Sequence, residues 1–475
     1  MVHNKSLYVT VLGSLTLMAA VLTAPTATHS QGTGPGNFVD SPNPDGVSRT
    51  LTTARAFDIR NPFFQALGTN GRTCATCHPP TQGMIITPTY AIQVFNATNG
   101  LDPLFAPVDG ANAPNLDMST PEARAANCSM LLTKGLFRIG IPMPPNAEFT
   151  LAAVDDPYGY SHAADLSCFR RPLPTTNLRF LASVMWDGRE LLNQNSIMSA
   201  LAQQARHAAT GHLQASMPPS NAQIAQIVNF EITLYTSQIF DSAVGNLNTQ
   251  QIGEGPQYMV GLPFSSGIND AFGLIRGRQP FDSEVFTFFD DWLVDSQRSG
   301  HLERSGRSGR SERAMPTLAQ QAAARGERLF NTRQFTISGV AGLNDLPGKS
   351  GIRGTCSSCH SLPGVGSNAL PLLLNTGIAD GARRTPDMPL YTLQNKKTGK
   401  TVQTTDPGLA MSTGKWTDIG KFKVPSLRGL ETQSPYMHNG FSAELLDTLD
   451  FYDARFSIGL SEQEKLDLRA FLMTL

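Results

Sequence analysis

Arg72-Thr73-Cys74-Ala75-Thr76-Cys77-His78 and Gly354-Thr355-Cys356-Ser357-Ser358-Cys359-His360 are two copies of one pattern, C-x-x-C-H, and they decide how the chain is read. Two thiols at this spacing reach the two vinyl groups of one haem and form thioether bonds. The imidazole that follows is then positioned to ligate the iron. The same cysteine spacing also serves zinc sites and thiol-redox centres. A zinc site needs two further ligands at short spacing, and neither copy has a second C-x-x-C or an H-x-x-x-H nearby. Two covalently bound haem c groups are therefore expected. His78 and His360 would be their proximal metal ligands, and Cys74, Cys77, Cys356 and Cys359 their attachment points. The fold expected is mainly α, with two tandem c-type cytochrome-like haem domains and long loops.

The remaining cysteines and the first residues bear on the compartment. Of six cysteines, four belong to the two motifs, leaving Cys128 and Cys168. Residues 1–30 read as a cleavable signal peptide. Lys5 gives a positive start, the apolar run LYVTVLGSLTLMAAVL fills 7–22, and small residues Ala24, Thr26 and Ala27 follow. An uncleaved membrane anchor is the alternative. The expectation is export to the periplasm without stable membrane insertion. In that oxidising setting a Cys128–Cys168 disulfide is the economical reading, with two free buried thiols as its rival. A net charge of −1 with 16 % charged residues argues against nucleic acid as an electrostatic partner.

At 475 residues the chain suggests two domains, and 42 Gly with 32 Pro suggest long connections. Residues 31–50 are expected to be a flexible arm. An N-terminal haem domain follows over 51–297, with a loop-rich insertion at 79–174. Within it, helices are expected over 189–209 and 222–240; Ile224, Val228, Ile232, Tyr235 and Ile239 recur at helical spacing in the second. The Ser, Gly and Arg repeat at 298–314 reads as a solvated linker. The C-terminal haem domain, 315–475, ends in a helix announced by the capping box Ser461-Glu462-Gln463-Glu464, with Leu466, Phe471 and Leu472 behind it.

The sixth coordination position of each iron decides between electron transfer and catalysis. Histidines outside the motifs, the leader and the linker are His162, His207, His212 and His438. Two stretches carry more information. Residues 405–441, TDPGLAMSTGKWTDIGKFKVPSLRGLETQSPYMHNGF, resemble the C-terminal haem domain of bacterial di-haem cytochrome c peroxidases and their MauG-like relatives. Met185-Trp186-Asp187-Gly188-Arg189, followed by Leu201-x-x-Gln204-Ala205, resembles the N-terminal domain of that family. The insertion at 79–174 carries no family pattern.

The resemblance implies peroxide cleavage at the N-terminal haem and an electron-accepting haem in the C-terminal half. Trp186 matches the family tryptophan between the haems, an electron relay; a buried core aromatic is the plainer reading. Gln214 aligns with the distal-pocket acid of the family, and a glutamine orients peroxide without shuttling a proton. That departure leaves His212 to take the acid/base role or to ligate the first haem. Arg189 is a candidate partner for a haem propionate. For the second iron the sixth ligand is expected to be His438, with Tyr452 as alternative and Met437 or Met411 behind them. The resemblance also brings a calcium ion between the domains, a small electron donor such as a cytochrome c or a copper protein, and the option of a homodimer. The reading is a periplasmic di-haem peroxidase-like oxidoreductase acting on hydrogen peroxide. Its rivals are a MauG-like or oxygenase-like enzyme oxidising a protein or organic substrate, and a non-catalytic di-haem electron carrier.

Overall fold

Each C-x-x-C segment forms a single helical turn, Cys74–Cys77 and Cys356–Cys359, in the computed structural model of the chain, which describes residues 36–192, 194–293 and 315–475. A four-residue helix cannot hold itself together by propagation, and both turns are closed by their flanks. The Thr73 N–H donates to Thr76 Oγ1 at 3.0 Å and the Thr355 N–H to Ser358 Oγ at 2.9 Å. The expected leader, 1–30, and the expected linker, 298–314, lie outside the described residues.

Helix accounts for 31 % of residues and strand for 17 %, in several sheets, so the expected mainly α fold is overturned and the architecture is mixed. The largest sheet is antiparallel, in the order Phe38–Asn43, Gly46–Thr52, Leu234–Asp241, Gly245–Asn246. It corrects two expectations. The described part of the arm at 31–50 is a hairpin, turned at Pro44-Asp45-Gly46. The helix expected over 222–240 ends at Glu231, and the next residues extend into the strand Leu234–Asp241. Ile232, Thr233, Tyr235 and Thr236 are β-branched or aromatic and suit an extended chain better than a helix. The buried positions of the central strand are Ser48, Thr50 and Thr52 rather than aliphatic residues. Their hydroxyls pair across the sheet: Thr50 with Thr236 at 2.8 Å, Ser48 to Gln238 at 2.7 Å, Thr52 with Thr233 at 2.9 Å. A sheet with a polar interior leaves no apolar alternation to read.

The segment 79–174 is more ordered than a loop-rich insertion. It contains the helices Pro88–Thr98, Pro121–Asn127 and Ser129–Lys134, and the strand pair Phe137–Ile141 with Leu166–Arg170. Its strand Phe149–Asp155 pairs with Leu390–Asn395, which in turn pairs with Thr401–Thr404. The insertion is thus stitched to the C-terminal half by a shared sheet. Cys128 and Cys168 are free and buried, which corrects the disulfide expectation. Cys128 packs in an apolar cluster with Ile86, Leu131 and Phe137, while Cys168 sits in the strand Leu166–Arg170 beside Asp406.

The helix expected over 189–209 is a short 3-10 turn, Arg189–Leu191, followed by Ile197–Gly211 capped by Ser196. The terminal helix Glu462–Leu472 follows the expected Ser461 capping box, but its buried face is Leu468, Phe471 and Leu472, and Leu466 is half exposed. It packs on Leu318–Thr332, with Phe471 among Phe286, Phe289 and Phe330. Among the described residues no helix is long and apolar enough to cross a membrane.

Two neighbours on the helix Leu318–Thr332 give opposite predictions. A Cβ at Gly326 would lie 1.9 Å from the Asp467 carbonyl oxygen of the facing helix. Gly326→Ala is expected to cost about 1–3 kcal/mol despite gaining about 1 kcal/mol of helix propensity, read as a lower urea midpoint. Burial pushes the Glu327 carboxyl from 4.5 up to about 8, opposed in part by the Phe288 and Phe289 N–H groups. Between those values the folded chain holds a proton that the unfolded chain releases, so stability falls as pH rises through that window. Glu327→Gln is expected to flatten that decline in urea titrations across the same window.

Candidate functional site

Behind each C-x-x-C-H turn lies a cavity with mostly apolar walls. The two enclose about 1470 and 1690 Å³ of atom-free space, mouths included. The imidazoles are aimed in the same way. His78 Nδ1 lies 3.1 Å from the Met84 carbonyl oxygen and His360 Nδ1 2.5 Å from that of Gly366, each acceptor six residues later. Both acceptors have left-handed backbones, Met84 with φ 62° and Gly366 with φ 70°. An N–H donated to a carbonyl fixes the tautomer and leaves Nε2 as the coordinating nitrogen. Burial depresses both imidazoles to about 4, so they are neutral as metal ligands must be.

The thiols argue against thiol-redox chemistry. Burial pushes Cys77, Cys356 and Cys359 up to about 12 and Cys74 higher still. Redox nucleophiles need thiolates, which basic surroundings favour; a thioether needs none. Among the described residues no three His, Cys, Asp or Glu side chains cluster to hold a metal ion, so the calcium expectation finds no carboxylate site.

The cavities share a wall of Arg171, Pro172, Leu173, Trp186, Lys423, Pro425, Ser426 and Gln433. Trp186 is the one aromatic side chain in it. Its indole N–H donates to the Arg171 carbonyl at 2.8 Å, and its own carbonyl accepts from the Lys423 N–H at 2.8 Å. Among the described residues eight buried side-chain atoms lack a hydrogen-bond partner, and five line these two cavities: Thr175 and Thr176 Oγ1 and Glu231 Oε2 in the first, His438 Nε2 and Thr448 Oγ1 in the second. Buried polar atoms are normally satisfied, so their concentration here fits a polar-edged group held in each cavity, as a porphyrin with propionates would be. The neutral thiols, the aimed imidazoles and the apolar walls fit haem c.

Of the residues singled out from sequence, Trp186, His212, Arg189, His438 and Tyr452 line these cavities. His212 is on the first, its Nδ1 2.5 Å from Asp109 Oδ2. Asp109 is buried, which by itself would raise its pKa, but His212 and the Arg72 guanidinium hold it lowered. Arg189 is on the same wall with its guanidinium paired to Asp187 at 2.9 Å. Gln214 is not on the wall: it is exposed, with φ 55°, and its carbonyl accepts from Thr69 Oγ1. The resemblance to a family acid selects Gln214, but the helix ends at Gly211 and Gln214 lies beyond it, exposed. Gln204 itself does line the cavity.

His438 is buried and stacks on Phe422, ring centroids 3.9 Å apart, with Trp186 edge-on at 6.2 Å. Its Nε2 is 3.8 Å from Asp406. Tyr452 lines the second cavity beside the C-x-x-C turn, with its hydroxyl pushed up by burial; Met437 lines it too, while Met411 packs elsewhere. His207 is exposed and paired with Glu190, and His162 bridges Asp165. Sequence reasoning missed Arg72, Asp109, Glu231, Arg171 and Lys423. Lys423 stood in a quoted segment, as a cation within an apolar stretch; Asp109 had no local signal at all.

No family model matches the chain. Cytochrome-c peroxidase IdrP1 of Pseudomonas sp. (strain SCT) is 41 % identical over 81 residues, 15 % of this chain and 21 % of its own. Cytochrome-c peroxidase IdrP2 of Denitromonas iodatirespirans is 32 % identical over 136 residues, 26 % of this chain and 36 % of its own. The chain thus spans about a fifth to a third of the length of these relatives. A solved MauG-like protein associated with microbial copper homeostasis overlays on 70 % of this chain and 79 % of its own at a TM-score of 0.30 and 16 % identity; no fold inference is drawn at that level.

Because the two turns are separate, their loading is expected to be separable. Cys356→Ala with Cys359→Ala should halve the covalent haem measured by alkaline pyridine spectra, Cys74→Ala with Cys77→Ala should do the same, and the four together should abolish it.

Proposed function

We propose that this chain, a relative of the di-haem cytochrome c peroxidases and MauG-like proteins, is an exported oxidoreductase that reduces hydrogen peroxide with electrons from a small redox protein. The observation that carries this reading is a cluster of the buried pair Arg72–Asp109 with the half-buried His212 on the cavity of His78. A c-type haem held by His78 would supply the iron that reacts with peroxide, and one held by His360 would supply the electron-accepting centre.

Reducing one peroxide to two waters takes two electrons and two protons. Protons need a group with a defined tautomer at the cavity. Asp109, fixed by Arg72, takes the His212 Nδ1 side and leaves Nε2 as the nitrogen for exchange, the logic of an oriented acid/base imidazole. Gln204 adds a polar contact without a titratable proton. Trp186, on both walls, is the aromatic bridge for charge between the cavities. His438, buried with its Nε2 unpartnered, is the candidate sixth ligand in the second cavity, with Tyr452 as alternative. The donor would be a small cytochrome c or copper protein, met in the periplasm.

A second reading has its own observation: His212 and His438 each line a cavity, and if both cap an iron the protein is an electron carrier. Low-temperature EPR of the oxidised protein separates the two. A high-spin ferric signal turned low-spin by cyanide is expected; two low-spin signals indifferent to cyanide, oxidised and half-reduced, would replace the peroxidase reading with electron transfer. Asp109→Asn is expected to slow peroxide reduction by roughly 10²-fold or more with both haems retained; unchanged turnover would remove the cluster from catalysis.

A further inference from the structure

The wall between the cavities holds, among the described residues, two buried cations without a counter-charge. Among the described residues most other buried cations have a carboxylate: Arg72 has Asp109, Arg138 has Asp165, Arg170 has Asp187 and Asp406, Lys421 has Asp418, Arg428 has Glu254. Arg124 is held by main-chain carbonyls away from the cavities. Arg171 and Lys423 differ in facing both cavities. Arg171 is 4 % and Lys423 6 % exposed. Arg171 donates to the carbonyls of Lys134 and Ile86, and among the described residues no anionic side chain pairs with either cation. Beside them on the first cavity are the unpartnered hydroxyls of Thr175 and Thr176.

Burying an unpaired cation is costly, and two on one wall imply an anion that the polypeptide does not provide. We propose that Arg171 and Lys423 form one seat for the carboxylates of both bound porphyrins, serving the two cavities from their common wall. The inference rests on the haem reading and is independent of peroxide chemistry. Each haem brings two propionates, so the ligand chemistry of the cavities supplies the missing charge. Because the Trp186 backbone and indole bond to these same two residues, the seat also locates both porphyrin edges against the tryptophan. Desolvation alone holds Lys423 down at about 8, and it depresses Arg171 to about 10; a carboxylate in contact would reverse both shifts.

A cation at a propionate favours the reduced, less positive haem, so its loss lowers the reduction potential. The test is spectroelectrochemical titration of the full chain and of Lys423→Met, Lys423→Gln and Lys423→Arg. With two haems per chain by pyridine spectra, Lys423→Met and Lys423→Gln are expected to lower the potential of at least one haem, and Lys423→Arg to restore it. Two attached haems with potentials and EPR g-values equal to the parent in the two neutral variants would overturn the proposal. Should those variants fail to mature, resonance Raman of the parent decides: propionate bending bands that shift in D2O support bonding to exchangeable donors, and bands indifferent to D2O overturn it. A parent without two haems would instead sink the haem reading itself.

Discussion

A half-buried imidazole that donates to a main-chain carbonyl six residues later is the constraint on which both halves of the protein depend. It needs a one-turn helix to launch the histidine and a left-handed residue to bring the carbonyl back, and both are built twice from different residues. In the first case Met84 adopts the left-handed conformation, an uncommon choice for a residue with a side chain; in the second Gly366 does so freely. The turns are closed by Thr73 with Thr76 and by Thr355 with Ser358. Two sequences that share only the cysteines, the histidine and a preceding threonine therefore reach one geometry.

A second device joins the parts. Arg170 is buried and binds Asp187 at 2.6 Å and Asp406 through both of its oxygens. Asp187 belongs to the Trp186-containing turn, Asp406 to the segment that opens the C-terminal stretch, and Arg170 to a strand of the segment between 79 and 174. The two carboxylates stay ionised although burial opposes it, because the guanidinium lies between them. Removing one member of such a cluster leaves uncompensated charge, a loss of about 3–5 kcal/mol.

The chemistry-bearing turns were legible because covalent attachment demands fixed residue types at fixed spacing. The terminal helix was legible from its capping box. The main sheet was not: a strand whose inward side chains are Ser48, Thr50 and Thr52 offers hydroxyl pairing where apolar alternation would be sought. Nor was the switch from helix to strand after Glu231, since Ile224, Val228, Ile232, Tyr235 and Ile239 keep helical spacing across it. At the site, Gln214 rests on resemblance to a family acid, yet it lies past the helix end at Gly211 and is exposed. Asp109 arrives from a segment whose sequence says nothing of its destination, and only tertiary packing brings it to His212.

The position of Asp109 has a consequence for how such a molecule diversifies. Asp109, Phe137 and Ile139 face the first cavity and not the second, while Trp186, Arg171 and Lys423 face both. Substitutions at Asp109, Phe137 and Ile139 can therefore reshape one chamber and leave the common wall untouched. A change in the common wall alters both chambers at once. Variation of the first kind would accumulate on one side, against a fixed partition.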